Sequence, residues 1–422
     1  MKDRIKILLL GKGGRESALA RKIMESPRLE KLYMAPEGIE GTETIGVDPL
    51  DFIGIAEAVE RHGIDLIVPG GANPIVSGIT DFFKPLGVKV VAPDAACARL
   101  ESSKEFAKEF MIDNAIPTAR FMTVTHDTLK EGLSFLDSMR PPYVLKADGL
   151  AMGKGVFILP SLADAKEMLT DMLDGLFGES SHTVLIEEFL RGKECTVTLA
   201  LDGEDWLALP NSRDYKRLLA GDEGPNTAGM GSVSPVTYAD ADFMERVEKR
   251  IIGPTLRGLK EKGLDYRGFL YLGVMEIDGE PVLIEYNVRL GDPETQAILP
   301  LIESDIVEIL EGIADRTLGI KRLQVSKDAC AAVTVASEGY PSICEHGHPI
   351  SGIEEAEAMG CIVYPALMHT TYDGKRLTDG GRVLTVAAIC ETPAAASLKA
   401  LAGAERIKFD GARFREDIGH DL

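Results

Sequence analysis

The sequence is short of positive charge, of paired cysteines and of long apolar runs. Its 422 residues include 46 Lys and Arg against 67 Asp and Glu, which gives a formal net charge of −21. A surface this acidic repels nucleic acids and anionic membranes, and no basic block offsets it. The apolar runs have the length of strands, well short of the about 18 residues that a membrane span requires. We therefore expect no nucleic-acid partner and no membrane, and any anionic substrate would need local clusters of Lys, Arg and backbone N–H groups.

The cysteine and histidine patterns argue against a disulfide framework and a metal cluster. The six cysteines are scattered and contain no C-x-x-C pair, which is typical of reduced thiols in a cytoplasmic protein. The close histidine pair "HGH" at 346–348 is more typical of a polar loop than of a metal site. The start, "MKDRIKILLLG", lacks the apolar core and cleavage site of a signal peptide and predicts a first strand. We therefore expect a cytoplasmic location.

The first hundred residues alternate between strand and helix patterns. Such alternation favours a parallel, doubly wound sheet, whose ligands bind at the carboxyl ends of the strands. The loops "GKGGRE", "APEGIEGT" and "PGGANP" lie at such ends, so we expect them to converge on one crevice. The predicted strands are 5–10, 31–35, 65–71 and 88–93, and the predicted helices are about 15–26, 51–62 and 73–86.

The pattern changes twice further along the chain, whose length allows two to four domains. A helix is expected from residue 101 to just before "IPTA" at 116–119. Long hairpin-like strands follow, and residues 328–422 are strand-rich with a short terminal helix. The predicted strands of the middle region are 143–148, 155–160, 183–190, 194–201, 269–278 and 280–290. We predict three domains, at 1–102, 103–325 and 326–422, with residues 120–190 as an approximate mobile lid.

Two segments of the middle region have the character of a nucleotide site. In "YVLKADGLAMGKGV" (143–156), a glycine-rich turn with Lys146 and Lys154 joins two strands, which favours a flap over phosphates. It is not a Walker A loop, because no G-K-[ST] leads into a helix; the alternative is an ordinary glycine hairpin. The strand end "VLIEEFLRGKE" (184–194) can offer backbone groups to an adenine edge and carboxylates to a ribose, unless its acids are merely solvated.

The segment "LIEYNVRLGDPE" (283–294) predicts a metal site. On a β-strand, Glu285, Asn287 and Arg289 share one face. A carboxylate and an amide oxygen suit Mg²⁺, and the arginine fork can bind a carboxylate or phosphate. A solvent-exposed polar face is the alternative. The opposite face would carry Ile284, Tyr286 and Val288.

A long polar segment, residues 211–235, is rich in glycine without being of low complexity. Loops of this length in compact enzymes are usually functional. We therefore expect it to close over substrates. Its candidate residues are Asp214, Lys216, Arg217, Asn226 and Thr227.

The motifs "VLKADGLAMGKGV", "IEEFLRGKE", "DYKR", "GDEGPNTAGMG" and "EYNVRLGDPETQ" together resemble those of the ATP-grasp ligases. Within them the chain resembles the phosphoribosylamine–glycine ligase family, and the likeness runs from "GKGGRE" through "GGRVLTV" to "KFDGARFREDIG". The resemblance implies a multidomain α/β and α+β fold. Its parts would be an N-terminal doubly wound parallel sheet that precedes the ATP-grasp unit, a two-lobed ATP-grasp domain and a small β-rich C-terminal domain.

The resemblance also implies a reaction of purine biosynthesis. ATP, with Mg²⁺ or Mn²⁺, would phosphorylate the carboxylate of glycine. The amine of 5-phosphoribosylamine would then attack the glycyl phosphate and release phosphate. Two anions meet in the first step, so preorganised positive charge should supply much of the catalysis. The resemblance implies small-molecule partners, no covalent enzyme intermediate, and a monomer or homodimer.

Site residues follow from the same resemblance. The metal ligands would be Glu285 and Asn287. The ATP-binding residues would be Lys104, Lys146, Gly153, Lys154, Gly155, Glu187, Glu188, Leu190 and Glu194. The catalytic residues would be Asp214, Lys216, Arg289 and Asp292. The substrate-binding residues would be Gly13, Gly14, Arg15, Glu16, Ser17, Gly41, Thr42, Gly71, Asn73, Pro74, Asn226 and Thr227.

The departures from the family pattern are concentrated in the N-terminal loops. The first loop usually reads G-S-G-G-R-E-H-A, the second ends N-A-G-T and the third reads G-P-E-x-P-L. The replacements here are Lys12, Ser17, Ile39, Glu40, Ala72 and Asn73. The ATP and metal motifs are nearly intact. Three hypotheses follow: a divergent ligase of the usual substrates, a paralogue that joins a different amine or carboxylate, or a non-catalytic nucleotide-binding homologue.

The first glycine turn, "GKGGRESAL", is not a nucleotide loop by its spacing. A dinucleotide fingerprint needs glycine where Glu16 stands, and Lys12 is misplaced for a Walker loop. Backbone N–H groups at the start of a helix, with Arg15 beside them, suit a sugar phosphate. We therefore expect this turn to bind the phosphate of the acceptor amine.

Overall fold

The structure is a computed structural model that describes residues 2–149, 155–178 and 182–422. Its N-terminal part is a five-stranded parallel sheet in the order β3-β2-β1-β4-β5, which confirms the predicted doubly wound architecture. The central strand "IKILLL" is apolar on both faces because helices cover both. The strands are β1 (Ile5–Leu10), β2 (Leu29–Ala35), β3 (Glu43–Thr44), β4 (Leu66–Pro69) and β5 (Lys89–Val90). The helices are α1 (Gly14–Met24), α2 (Phe52–His62), α3 (Ala72–Val76), α4 (Ile79–Phe83), α5 (Ala95–Ser102) and α6 (Lys104–Asp113).

Two helices that the sequence predicts as continuous are each divided in the structure. The helix expected at 73–86 is divided into α3, α4 and a 3₁₀ turn (Lys84–Leu86), because Gly78 between the first two adopts a φ of +84°. The helix expected from residue 101 is divided at Ser103, whose backbone is extended and whose Oγ accepts a hydrogen bond from the N–H of Phe106. Ser103 is therefore the N-cap of a second helix.

A second unit, residues 121–188, has an antiparallel sheet in the order β6-β9-β7-β8 and a core of its own. Val124, Leu145 and Ile186 of the sheet pack there with Leu136 and Leu169 of the helices. The strands are β6 (Phe121–Val124), β7 (Tyr143–Ala147), β8 (Val156–Leu159) and β9 (Val184–Glu188). The helices are α7 (Leu129–Asp137) and α8 (Leu162–Asp171), which continues as a π-helical turn (Met172–Leu176).

The next strands separate into two sheets. The antiparallel sheet β11-β10-β16-β17 packs into one core with the N-terminal sheet, since Leu8 and Ile67 share a buried cluster with Leu272 and Tyr286. The strands are β10 (Lys193–Asp202), β11 (Trp206–Ala208), β12 (Arg213–Asp214), β13 (Arg217–Leu219), β14 (Glu223–Asn226), β15 (Gly231–Ser234), β16 (Arg267–Ile277) and β17 (Glu280–Asn287). The helices are α9 (Ala241–Val247), a π turn (Glu248–Ile252), α10 (Gly253–Glu261), α11 (Glu294–Ile298) and α12 (Ile306–Asp315).

The C-terminal sheet, in the order β12-β15-β18-β22-β19, takes two strands from the middle of the chain. Residues 211–235, expected as a loop, contribute β12 and β15 to this sheet and form the hairpin β13–β14. The C-terminal strands are β18 (Ala329–Ser337), β19 (Ile362–Pro365), β20 (Met368–Thr370), β21 (Arg376–Thr378), β22 (Arg382–Cys390) and β23 (Ala412–Arg413), and the helices are α13 (Ile353–Ala358) and α14 (Pro393–Ala404). Among the helices of the described residues, none is long and apolar enough to cross a membrane.

Candidate active site

A cavity of about 1050 Å³ lies where the four sheets meet. Arg15 lines it from the N-terminal sheet, Lys146 from the second unit, Glu285 from β17 and Arg382 from the C-terminal sheet. Its size is at the upper end of small-molecule sites. The cavity is therefore shared by every part of the fold.

The carboxylate of Glu285 is held ionised at the centre of this cavity. Burial alone would raise the pKa of Glu285, but the ammonium groups of Lys216, Lys146 and Lys104 hold it below its ordinary value. Among the described residues, no hydrogen bond or ion pair within 4 Å engages this carboxylate. Asn287 faces the same cavity. An ionised carboxylate and an amide oxygen fit Mg²⁺, with positions left for phosphate oxygens.

The predicted alternation along β17 is wrong at Ile284. Glu285 pairs with Gly273 and Leu283 pairs with Val274, so Ile284 is an extra residue in a β-bulge. Ile284, expected on the opposite face, lines the cavity instead.

Arg289 lies beyond the end of β17 and still reaches the strand. Its Nη2 donates to Asn287 Oδ1 at 3.0 Å and lies 3.1 Å from the Glu101 carboxylate. Glu101 in turn accepts a hydrogen bond from the N–H of Val288 at 2.7 Å. Glu285 and Asn287 therefore share the cavity face of β17, as predicted, whereas Arg289 reaches Asn287 from beyond the end of the strand.

One buried carboxylate, Glu187, is held between two lysines at the end of the cavity that is walled by apolar side chains. Glu187 Oε2 is 3.0 Å from Lys146 Nζ and 3.3 Å from Lys108 Nζ. Lys108 also donates to Thr118 Oγ1 at 2.7 Å. Burial lowers the pKa of the Lys108 ammonium to about 8, despite the attraction of Glu187. The apolar lining residues at this end include Ala107, Met111, Val144, Ile158, Leu190 and Met275.

The other predicted ATP-binding residues line the same cavity where the structure describes them. Lys104 donates to the carbonyls of Ala147 and Gly149, and burial lowers its pKa. The predicted flap is described only at its two ends, and Gly153 and Lys154 lie outside the described residues. The remaining predicted residues that line the cavity are Gly155, Glu188, Leu190 and Glu194.

The opposite end of the cavity is built from residues 213–230. Lys216 pairs with Glu194 at 2.9 Å, and the Lys216 carbonyl accepts from Thr227 Oγ1 at 2.8 Å. Burial and the nearby Glu294 raise the pKa of Asp214 well above its ordinary value. Asp214 therefore resists carrying a negative charge at this end of the cavity.

Asp292 connects this end to the C-terminal sheet. Burial would raise its pKa, but Arg382 and Arg15 hold it below the ordinary value. Asp292 Oδ2 is 3.1 Å from Arg382 Nη2, and Asp292 Oδ1 accepts from Gln296 Nε2 at 2.7 Å. Asp292 is therefore fixed as a carboxylate at the junction of three sheets.

The N-terminal loops reach the large cavity through only a few side chains. Arg15, Ala72 and Asn73 line it. Glu16 lies under the turn, where it accepts from the N–H of Gly13 and pairs with Arg15 at 2.7 Å. The predicted substrate-binding residues outside the lining of the large cavity are Gly13, Gly14, Glu16, Ser17, Gly41, Thr42, Gly71 and Pro74.

The unusual residues Lys12 and Ser17 do not face the large cavity. Lys12 Nζ is 3.3 Å from Glu37 and 3.4 Å from Asp379, so it links the N-terminal sheet to the C-terminal one. A small pocket beside it includes Ile39. Ser17 is buried, and its hydroxyl has no hydrogen-bond partner among the described residues. The two ion pairs of Lys12 therefore give this residue a structural role that does not involve a substrate.

Several residues that line the cavity were not predicted from the sequence. Lys108 follows Lys104 by one helical turn, so helical spacing could have suggested it. Arg382 lies 90 residues after its partner Asp292, and only the fold brings them together. The other cavity residues that were missed include Glu101, Arg213, Asp222, Tyr271 and Glu294.

We expect Lys108 to give nucleotide binding a pH dependence. Its folded-state pKa is depressed to about 8, so its charge is lost as pH rises through that value, while Glu187, Lys146 and Glu285 face it. Titration of the protein with Mg-nucleotide from pH 6.5 to 9.5 should show affinity falling across this step. Lys108→Met should lack the step. An identical profile in the variant would contradict the assignment.

Comparisons with known proteins cover the whole chain. The phosphoribosylglycinamide synthetase N domain matches residues 5–101, its ATP-grasp (A) domain 102–295 and its C domain 330–421. The phosphoribosylamine–glycine ligase of Ralstonia nicotianae is 40% identical over 99% of each chain. That of Caldanaerobacter subterraneus is 39% identical over 98% of this chain and 99% of its own. The crystal structure of the ligase from Thermotoga maritima has a TM-score of 0.83 and 34% identity, covering 98% of this chain and 100% of that one. The chain belongs to the phosphoribosylglycinamide synthetase family.

Proposed function

We propose that the protein joins glycine to 5-phosphoribosylamine with ATP, through glycyl phosphate, and forms glycinamide ribonucleotide, ADP and phosphate. The observation that carries this proposal is the two-ended cavity. Glu285 and Asn287, both half-buried, stand among lysines between the apolar end around Glu187, here called the nucleotide end, and the polar end at residues 213–230, here called the substrate end. Arg15 and Asn73 also line the cavity. The phosphoribosylamine–glycine ligases that resemble this chain over its full length support the assignment of glycine and 5-phosphoribosylamine as its substrates.

The first step transfers a phosphoryl group to a carboxylate, so two anions must meet. In this proposal Lys146 and Lys104, which line the cavity, bind the nucleotide phosphates, and Arg289 orients the glycine carboxylate. Mg²⁺ held by Glu285 and Asn287 would neutralise phosphate charge and polarise the transferred group. Preorganised cations in a buried site therefore supply the electrostatic part of catalysis.

In the second step the amine nitrogen forms a bond to the glycyl carbonyl carbon, and the bond from that carbon to phosphate oxygen breaks. Phosphate leaves with the electron pair, and the amine loses a proton. Asp214 lies half-buried at this end, and burial together with Glu294 raises its pKa well above the ordinary value, so it is the candidate group for accepting this proton. Asn226 and Thr227 line the same end.

The site also bears on the hypothesis of a different amine. Lys12 is engaged by Glu37 and Asp379, so it is not free to attract a more anionic substrate. Only Ala72 and Asn73 among the altered positions line the large cavity. These observations favour the usual substrates.

The reduced state of the cysteines supports a cytoplasmic location. All six cysteines, each within the described residues, are free.

The direct test measures ADP release with ATP, Mg²⁺, glycine and phosphoribosylamine, omitting each in turn. We expect release to require all of them. Turnover with a different amine but not with this one would contradict the proposal.

Replacement of Glu285 tests the metal site. Glu285→Gln should lower kcat at least about 100-fold, because it removes a charged oxygen ligand worth several kcal/mol in the transition state. Glu280→Gln, on the same strand but exposed, is the matched control and should leave kcat unchanged. Full activity of Glu285→Gln at saturating Mg²⁺ would exclude the assignment.

A pair of glycine variants tests the packing of the polar end. Gly229 has a φ of +113°, and a Cβ there would lie 2.3 Å from Pro293 Cδ and 2.8 Å from Asp214 Oδ1. Gly221, in the same segment, has a φ of +69° with open space around it. Alanine strains the backbone at both positions, but only the Gly229→Ala side chain also collides with its neighbours and displaces the loop. We therefore expect Gly229→Ala to lower kcat/KM about 100-fold and Gly221→Ala to lower it only a few-fold. Equal losses would show that crowding at Gly229 is unimportant.

A further inference from the structure

A side chain of the C-terminal sheet holds the substrate end of the cavity together. Arg382, at the start of β22, donates from Nη1 to the carbonyl of Ala228 at 2.7 Å, that of Asp292 at 2.8 Å and that of Gly229 at 3.4 Å. Its Nη2 pairs with the Asp292 carboxylate at 3.1 Å. One guanidinium therefore joins two segments that are distant in sequence.

A second C-terminal residue holds the same loop from its other side. The N–H of Ala228 donates to Tyr340 Oη at 3.0 Å. The peptide groups on both sides of Ala228 are thus bound by side chains of the C-terminal region. The ring of Tyr340 packs on Gly381, directly before Arg382, where a Cβ would lie 2.3 Å from the ring. Arg382 and Tyr340 therefore act as one clamp on residues 228–229.

The clamp continues into residues that line the cavity. The N–H of Gly229 donates to Thr227 Oγ1 at 3.0 Å, and Thr227 Oγ1 donates to the carbonyl of Lys216 at 2.8 Å. Lys216 Nζ pairs with Glu194 at 2.9 Å. An unbroken series of contacts thus runs from Arg382 to a lysine beside Glu285.

We propose that Arg382 and Tyr340 are positioning residues, through which the C-terminal region sets the geometry of the substrate end. The inference rests on the proposed function, since it concerns the same site. Neither lysine nor methionine can reproduce the contacts of Arg382, because only a planar guanidinium presents several N–H groups to carbonyls and a carboxylate at once.

The charge of Arg382 has a second effect at this end. Asp214, Asp292 and Glu294 would otherwise leave this part of the cavity acidic, although the acceptor substrate is itself an anion. Arg382 lies close enough to all three to interact with them electrostatically. Its loss would therefore disturb substrate binding and loop position together, and would leave the nucleotide end unchanged.

The test compares three variants of the full-length protein. Arg382→Met removes the clamp, and Tyr340→Phe removes one hydrogen bond while keeping the ring. Arg376→Met is the matched control, because Arg376 lies in the same region and pairs with Glu354 at 2.6 Å on the surface. The measurements are kcat and KM for glycine and for phosphoribosylamine, the affinity for Mg-ADP, and hydrogen exchange at residues 226–230.

We expect Arg382→Met to lower kcat/KM for glycine and the amine about 100-fold, and Tyr340→Phe about tenfold, with Mg-ADP affinity within about twofold of wild type. Exchange of the Ala228 amide should rise at least about tenfold in both variants and not in Arg376→Met. If Arg382→Met does not fold, Tyr340→Phe decides the question.

Two results would overturn the inference. One is kcat/KM within about threefold of wild type in the folded variants. The other is an equal loss of Mg-ADP affinity, which would indicate a general structural role. Absence of turnover in the wild-type protein would contradict the proposed function instead, and the exchange of the Ala228 amide would then test the clamp alone.

Discussion

The site depends on positive charge confined around one half-buried carboxylate in a strongly acidic protein. The chain has a net charge of −21, yet Glu285 is surrounded by lysines that keep it ionised. Nearby cations have acidic partners of their own: Lys146 with Glu187, and Lys216 with Glu194. Both pairs orient the lysines, and the buried Lys146–Glu187 pair does so most strongly, because a buried charge without a partner is costly. The cavity can therefore accept anionic substrates that the rest of the surface repels.

Different elements of the fold contribute to the two ends of the cavity. The second unit, with its own core, supplies the Lys146–Glu187 pair and shares the apolar end of the cavity with α6 and β16, while β17 supplies Glu285 and Asn287. The N-terminal and C-terminal sheets meet at the polar end. Because the two ends are formed largely by different elements, we expect mutations to affect nucleotide binding and substrate binding separately, although the phosphoryl group must pass between them.

Residues close in sequence were predictable, and residues joined only by the fold were not. Four of the five strands of the N-terminal sheet, and the pair Glu285 and Asn287, follow from local pattern, whereas the short edge strand β3 (Glu43–Thr44) was not predicted. The bulge at Ile284 depends on the register with β16, which no local pattern encodes. Residues 211–235 were expected as a loop. Their polar, glycine-rich sequence does not reveal the short pairs β12–β15 and β13–β14, and the outer partner of β15, strand β18, lies far along the chain. Arg382 was missed for the same reason.

The central claim is that the cavity activates the glycine carboxylate as an acyl phosphate before the amine attacks. The most direct measurement supplies glycine labelled with ¹⁸O in both carboxylate oxygens, together with unlabelled ATP and phosphoribosylamine. The oxygen that receives the phosphoryl group leaves with it, so each phosphate released should carry one ¹⁸O atom. Release of unlabelled phosphate alongside the amide product would contradict the account.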